Sequence, residues 1–94
     1  MRLDYKLQQE ILKALYDRPI EDFPLTVKDF QFPGHSLSEI TEHLKYLKED
    51  GLIRELDIDV GDFGEDEFDE YHPRGFWVGH LTAKGQELCE DLDF

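Results

Sequence analysis

Residues 34–53 read GHSLSEITEHLKYLKEDGLI, and this stretch decides the fold. Ser36 followed three residues later by Glu39 fits a capping box, in which the hydroxyl accepts a free N–H of the first turn and the carboxylate reaches back to the cap. Leu37, Ile40, Leu44 and Leu47 recur at helical spacing and define an apolar stripe. Gly51 suits the left-handed residue that closes a helix, because it has no Cβ to clash. A helix over 36–50 is therefore expected, with Leu52 and Ile53 dropping into the core behind it.

Outward from that helix, residues 53–60 alternate. Leu56, Ile58 and Val60 share one face, and Glu55, Asp57 and Asp59 share the other, the pattern of a half-buried strand. Residues 61–73 read as a loop or hairpin tip, and GFWVGHL (75–81) as a returning strand. Thr82 caps a last helix carrying Leu88 and Leu92 on one face, with Leu81 stapling its entry. Upstream, Asp4 is the N-cap of a helix over 4–17 with Leu7, Ile11, Ala14 and Leu15 on one face, widened by Leu12 and Tyr16. Arg18-Pro19 ends it, since proline pushes the preceding residue out of the helical region. Between Pro24 and Pro33-Gly34, the run LTVKDFQF suggests a short strand or extended segment. The expected core is Leu7, Ile11, Leu15, Ile40, Leu44, Leu47, Ile53, Ile58, Val78, Leu81 and Leu88.

The order of elements, with a helix feeding a β-hairpin, is a winged-helix layout. The run at 34–53 resembles the recognition-helix segment of winged-helix regulators, where a helix of the form xHLxxLxxxGLI leads into the wing. LTAKGQEL (81–88) is similar to the LTxxGxxxL phrase that opens their final helix. The two phrases, with an acidic hairpin between them, look like an uncharacterised family of short bacterial and phage winged-helix proteins. The resemblance spans most of residues 3–92. It implies one α+β winged-helix domain over residues 1–94, with three main helices and a small antiparallel sheet whose wing is acidic. The family carries no established activity. One departure stands out: residues 19–34 occupy the place of the helix that usually supports the recognition helix, and they do not read as a helix.

The chain has 94 residues, with 23 acids against 10 Lys and Arg, a formal net charge of -13. Aromatic residues make up 13%, too many for a disordered acidic tail. Residues 55–70, ELDIDVGDFGEDEFDE, hold nine of the acids and no Lys or Arg; the other 78 residues carry 14 acids against 10 bases. Such charge opposes indiscriminate binding to nucleic acid or to anionic membrane. No run approaches the ~18 apolar residues of a membrane span, and the first ten residues lack an apolar signal core. The lone Cys89 has no partner for an internal disulfide, which suits a reducing compartment. A cytoplasmic protein is expected, in the host cytoplasm if the chain is phage-encoded.

Chemistry finds little purchase. The four histidines (35, 43, 72 and 80) and Cys89 lack the paired spacing of a zinc site. Read as a calcium loop from Asp57, the acidic segment places Gly61 and Asp62 at positions 5 and 6 and Phe68 at position 12, which rules out an EF-hand. There is no glycine-rich phosphate loop, and Ser36–Glu39 is explained by capping. No metal, no cofactor and no enzymatic activity are expected.

Two functions remain. In the first, the acidic hairpin is a partner-binding surface made of Asp57, Asp59, Asp62, Glu65, Asp66, Glu67, Asp69 and Glu70 with the interleaved Phe63 and Phe68. Asp57 and Asp59, two apart on a strand, project carboxylates about 6.6 Å apart, in the manner of a nucleic-acid backbone. Such a protein would occupy the basic, nucleic-acid-binding surface of another protein, as a phage-type inhibitor of host defence or of a nuclease does. In the second, the chain is a winged-helix transcription regulator, with a homodimer left open. Thr41, His43, Lys45, Tyr46 and Lys48 would then read or contact DNA. The charges weigh against it, because Glu39, Glu42, Glu49 and Asp50 share the helix surface with those lysines, and phosphate contacts need cations.

Overall fold

Asp4 starts the first helix as its cap: its Oδ1 accepts the backbone N–H of Lys6 at 3.0 Å and of Leu7 at 3.3 Å. In the computed structural model, which describes residues 3–60 and 73–93, this helix (α1) runs Tyr5–Asp17. A single 3-10 turn, Ile20–Asp22, and a two-residue strand β1, Leu25–Thr26, follow. The second helix (α2) spans Leu37–Glu49, strands β2 and β3 span Leu56–Val60 and Pro73–Val78, and helix α3 spans Ala83–Asp91.

The capping box of α2 is complete. The Glu39 N–H donates to Ser36 Oγ at 3.1 Å, and the Ser36 N–H donates to Glu39 Oε1 at 2.9 Å. At its other end Gly51 has φ +75°, its N–H donates to the Lys48 carbonyl, and the Leu52 N–H reaches the Leu47 carbonyl. That is a Schellman motif, and it redirects the chain from helix into core.

The three strands form one antiparallel sheet in the order β1-β3-β2. Leu25 and Leu56 both pair with Val78, and Ile58 pairs with Phe76, so these side chains share the inner face. Thr26 and Asp57 both pair with Trp77, and Asp59 pairs with Gly75, on the outer face. The register shifts between Asp59 and Val60. The architecture is thus α+β, three helices and a small three-stranded antiparallel sheet. Residues 19–34 hold a 3-10 turn and β1, in keeping with the extended reading of that stretch.

Helix α3 docks onto the end of α2 through the LTAKGQEL phrase. Leu81 bridges to Ile53, the Thr82 Oγ1 accepts from the Gly85 N–H and donates to the Gly51 carbonyl, and the Thr82 N–H donates to the Leu52 carbonyl. Gly85 is buried, and a Cβ there would collide with the Leu52 carbonyl oxygen. Glycine lets the two backbones approach.

The core gathers Leu7, Ile11, Leu12 and Leu15 from α1, Leu25 from β1, Ile40, Leu44 and Leu47 from α2, Phe76 and Val78 from β3, Cys89 from α3, and Phe30, Leu52, Ile53 and Leu81 from between. Two expected members are only partly buried. Ile58 sits on β2, an edge strand with a neighbour on one side. Leu88 yields its place to Cys89, which with Gly85 forms the buried i, i+4 pair of α3 and directs its Sγ toward the Leu12 carbonyl at 3.7 Å. Among the described residues no helix is long and apolar enough to cross a membrane.

Candidate interaction surface

Alternation along β2 turns Asp57 and Asp59 outward, and both are exposed, as is Glu55 just before the strand. The other expected partner-binding residues, Asp62, Phe63, Glu65, Asp66, Glu67, Phe68, Asp69 and Glu70, lie outside the described residues.

Across the sheet, the outer face of β3 carries Trp77, a residue not expected to matter. Its side chain is 61% exposed. The signal lay in the period-two pattern of GFWVGH: Phe76 and Val78 at 1% and 0% exposure face inward, which leaves Trp77 on the outer face with glycines at i−2 and i+2. Thr26 and Asp57 are its neighbours on the flanking strands. The Thr26 hydroxyl lies 3.4 Å from the Asp29 carboxylate, so an acidic group stands on the β1 side of Trp77 as well as the β2 side.

Helix α2 presents a different surface from the one expected. Thr41 and His43 are 0% and 1% exposed, which corrects their assignment as base-reading residues. The Thr41 hydroxyl donates to the Ser38 carbonyl at 3.0 Å. His43 Nε2 accepts the backbone N–H of Asp4 at 2.9 Å, and Nδ1 lies 2.7 Å from the Glu39 carbonyl. A ring that accepts at Nε2 and donates at Nδ1 is the neutral Nδ1–H tautomer. His43 is thus a strut between α1 and α2. Of the remaining three, Lys45 is half-buried with its Nζ 3.5 Å from Glu42 Oε2, Tyr46 is 38% exposed, and Lys48 is exposed beside exposed Glu49 and Asp50.

The other described histidines have structural surroundings. His35 lies 3.8 Å from the Glu39 carboxylate. That carboxyl is held below its ordinary range, first by the Ser36 backbone N–H, which outweighs an opposing burial effect, and then by His35 and the Ser36 hydroxyl. His80 packs edge-on against Phe23 at a centroid distance of 4.8 Å, with Nδ1 3.1 Å from the Leu81 carbonyl. Among the described residues no group of three or more His, Cys, Asp or Glu converges to hold a metal ion. A groove of about 520 Å³ runs between the 27–35 turn and α2, lined chiefly by Phe30, Phe32, His35, Leu37 and Ile40.

Compared with protein-family models, curated proteins and solved structures, the chain matches none.

Proposed function

We propose that this protein is a non-enzymatic, acidic interaction protein that occupies a basic, nucleic-acid-binding surface of a partner protein, a nucleic-acid mimic of the kind a phage uses against host defence or a nuclease. The observation that carries the reading is the outward row of Asp57 and Asp59 on β2, leading by sequence into the acids of 61–70. Long-range attraction from a chain of net charge -13 would speed its encounter with a cationic partner.

The overall architecture is, in this reading, a winged helix without its support helix. The passage of α2 through Leu52 and Ile53 into β2, and the sheet order β1-β3-β2, support that assignment. The alternative regulator function is weakened by the burial of Thr41 and His43, which leaves Lys45, Tyr46 and Lys48 for DNA among Glu42, Glu49 and Asp50.

The test is capture of partners from a bacterial lysate on the immobilised protein, followed by elution with duplex DNA, beside a low-salt gel shift of the purified protein on the same duplex. The proposal expects a captured protein that DNA displaces and no shift by the protein alone. A shift that Lys45→Ala/Lys48→Ala abolishes would instead establish the regulator.

A further inference from the structure

The outer face of the sheet carries a feature that the acidic charge does not by itself require. Trp77 occupies the central strand with 61% of its surface exposed, so most of its indole is left open to a partner. Gly75 and Gly79 precede and follow it on that face, so no side chain on its own strand stands against either side of the ring. Val27 lies beside Gly75, its two Cγ atoms 3.8 Å from where a Cβ would be. Asp57 flanks the indole on β2. Thr26 flanks it on β1, with the Asp29 carboxylate at its hydroxyl. Two strand spacings, about 10 Å, separate the two flanks.

We infer that this face is an arginine platform, on which Trp77 stacks a guanidinium presented by the partner while Asp57 and Asp29 take its N–H groups from either side. The inference rests on the reading of the protein as a binder of basic surfaces and names the group it grips. The chemistry selects arginine over lysine. A planar, weakly hydrated guanidinium lies flat on an indole and still directs its N–H fork sideways to carboxylates. An ammonium is compact and strongly hydrated, and gains less from the ring. Arg74, on β3, is exposed and lies at the register shift, three residues before Trp77.

Trp77 is the single tryptophan of the chain, so its emission reports on the site directly. The experiment titrates the protein at low salt with two labelled peptides of equal length and charge, one Arg-Gly and one Lys-Gly, reading Trp77 fluorescence and peptide anisotropy. The arginine peptide is expected to change Trp77 emission and to bind about five-fold more tightly than the lysine peptide. Trp77→Leu should erase that preference and leave the weaker, charge-driven binding. Asp29→Asn/Asp57→Asn, which keeps the fluorophore, should reduce the emission change, and this variant decides the matter if Trp77→Leu fails to fold. Equal binding of both peptides with Trp77 emission unmoved overturns the platform, while the acidic reading survives if that binding still depends on Asp57 and Asp59. Binding of neither peptide overturns both.

Discussion

Replacing His43 by alanine separates the two roles that its position on α2 allows. The imidazole is 1% exposed and bridges the Asp4 N–H and the Glu39 carbonyl. Its removal forfeits a buried hydrogen bond between the helices, about 1 kcal/mol net. It also leaves a ring-sized void between α1 and α2. Large-to-small core replacements cost ~2–5 kcal/mol, and a partly polar ring belongs at the lower end. Alanine's better helix propensity returns about 0.5 kcal/mol. The sum is a loss of about 2–3 kcal/mol, a large share of the ~5–15 kcal/mol that holds a domain together. Urea unfolding followed by circular dichroism reads this directly: at an m-value near 1 kcal/mol per molar, the midpoint falls by about 2–3 M. Lys48→Ala, on the exposed side of the same helix, should stay within about 0.5 kcal/mol of the parent. A His43→Ala protein as stable as the parent would show that the ring does not tie the helices together, and the base-reading role would return.

Three further outcomes follow from the packing. Gly85→Ala should destabilise the protein by about 1–3 kcal/mol in the same urea assay, because the clash with the Leu52 carbonyl outweighs a helix-propensity gain of about 1 kcal/mol; a more stable variant would contradict the close approach of α3 to Leu52. Glu39 has a folded-state pKa below its unfolded value, so its contribution is present above the unfolded pKa and lost as pH falls through the folded one. The stability advantage of the parent over Glu39→Gln should accordingly be constant near neutrality and shrink in acid, and an advantage that grows on acidification would reverse the sign. Burial, with the charges of Asp17 and Glu90 adding to it, pushes the Cys89 thiol up, so a thiol reagent such as DTNB should react slowly with the native protein and stoichiometrically in denaturant; fast native reaction would place Cys89 at the surface.

What the sequence made legible was mostly local. The caps at Asp4, Ser36 and Thr82 and the left-handed Gly51 each depend on a few adjacent residues, and each stands where the residue types indicate. The misjudged residues are those where type and spacing disagree. His43 lies three residues after Ile40 and four before Leu47, and Thr41 four after Leu37 and three before Leu44, so spacing puts both beside the apolar stripe. Their polar side chains suggested the opposite, until the partners at Asp4 and Ser38 satisfied them. Trp77 is the converse, a large apolar residue that strand alternation turns outward. The burial of Phe30 could not be read from its turn, because it depends on Phe76, from a distant strand, whose ring centroid lies 5.7 Å away.

The central claim is that the acidic sheet face, and not α2, is the working surface, and paired variants test it most directly. One protein carries charge reversals at Asp57, Asp59, Glu65, Asp66 and Glu67, the other Lys45→Ala/Lys48→Ala. Each is titrated by calorimetry against the captured partner and by anisotropy against duplex DNA, with circular dichroism confirming the fold. The account predicts that the acid variant loses the partner, that the lysine variant keeps it, and that the parent does not bind the duplex more tightly than about 100 μM at physiological salt. Loss of activity in the lysine variant, with the acid variant unimpaired, would contradict it and make α2 the working surface.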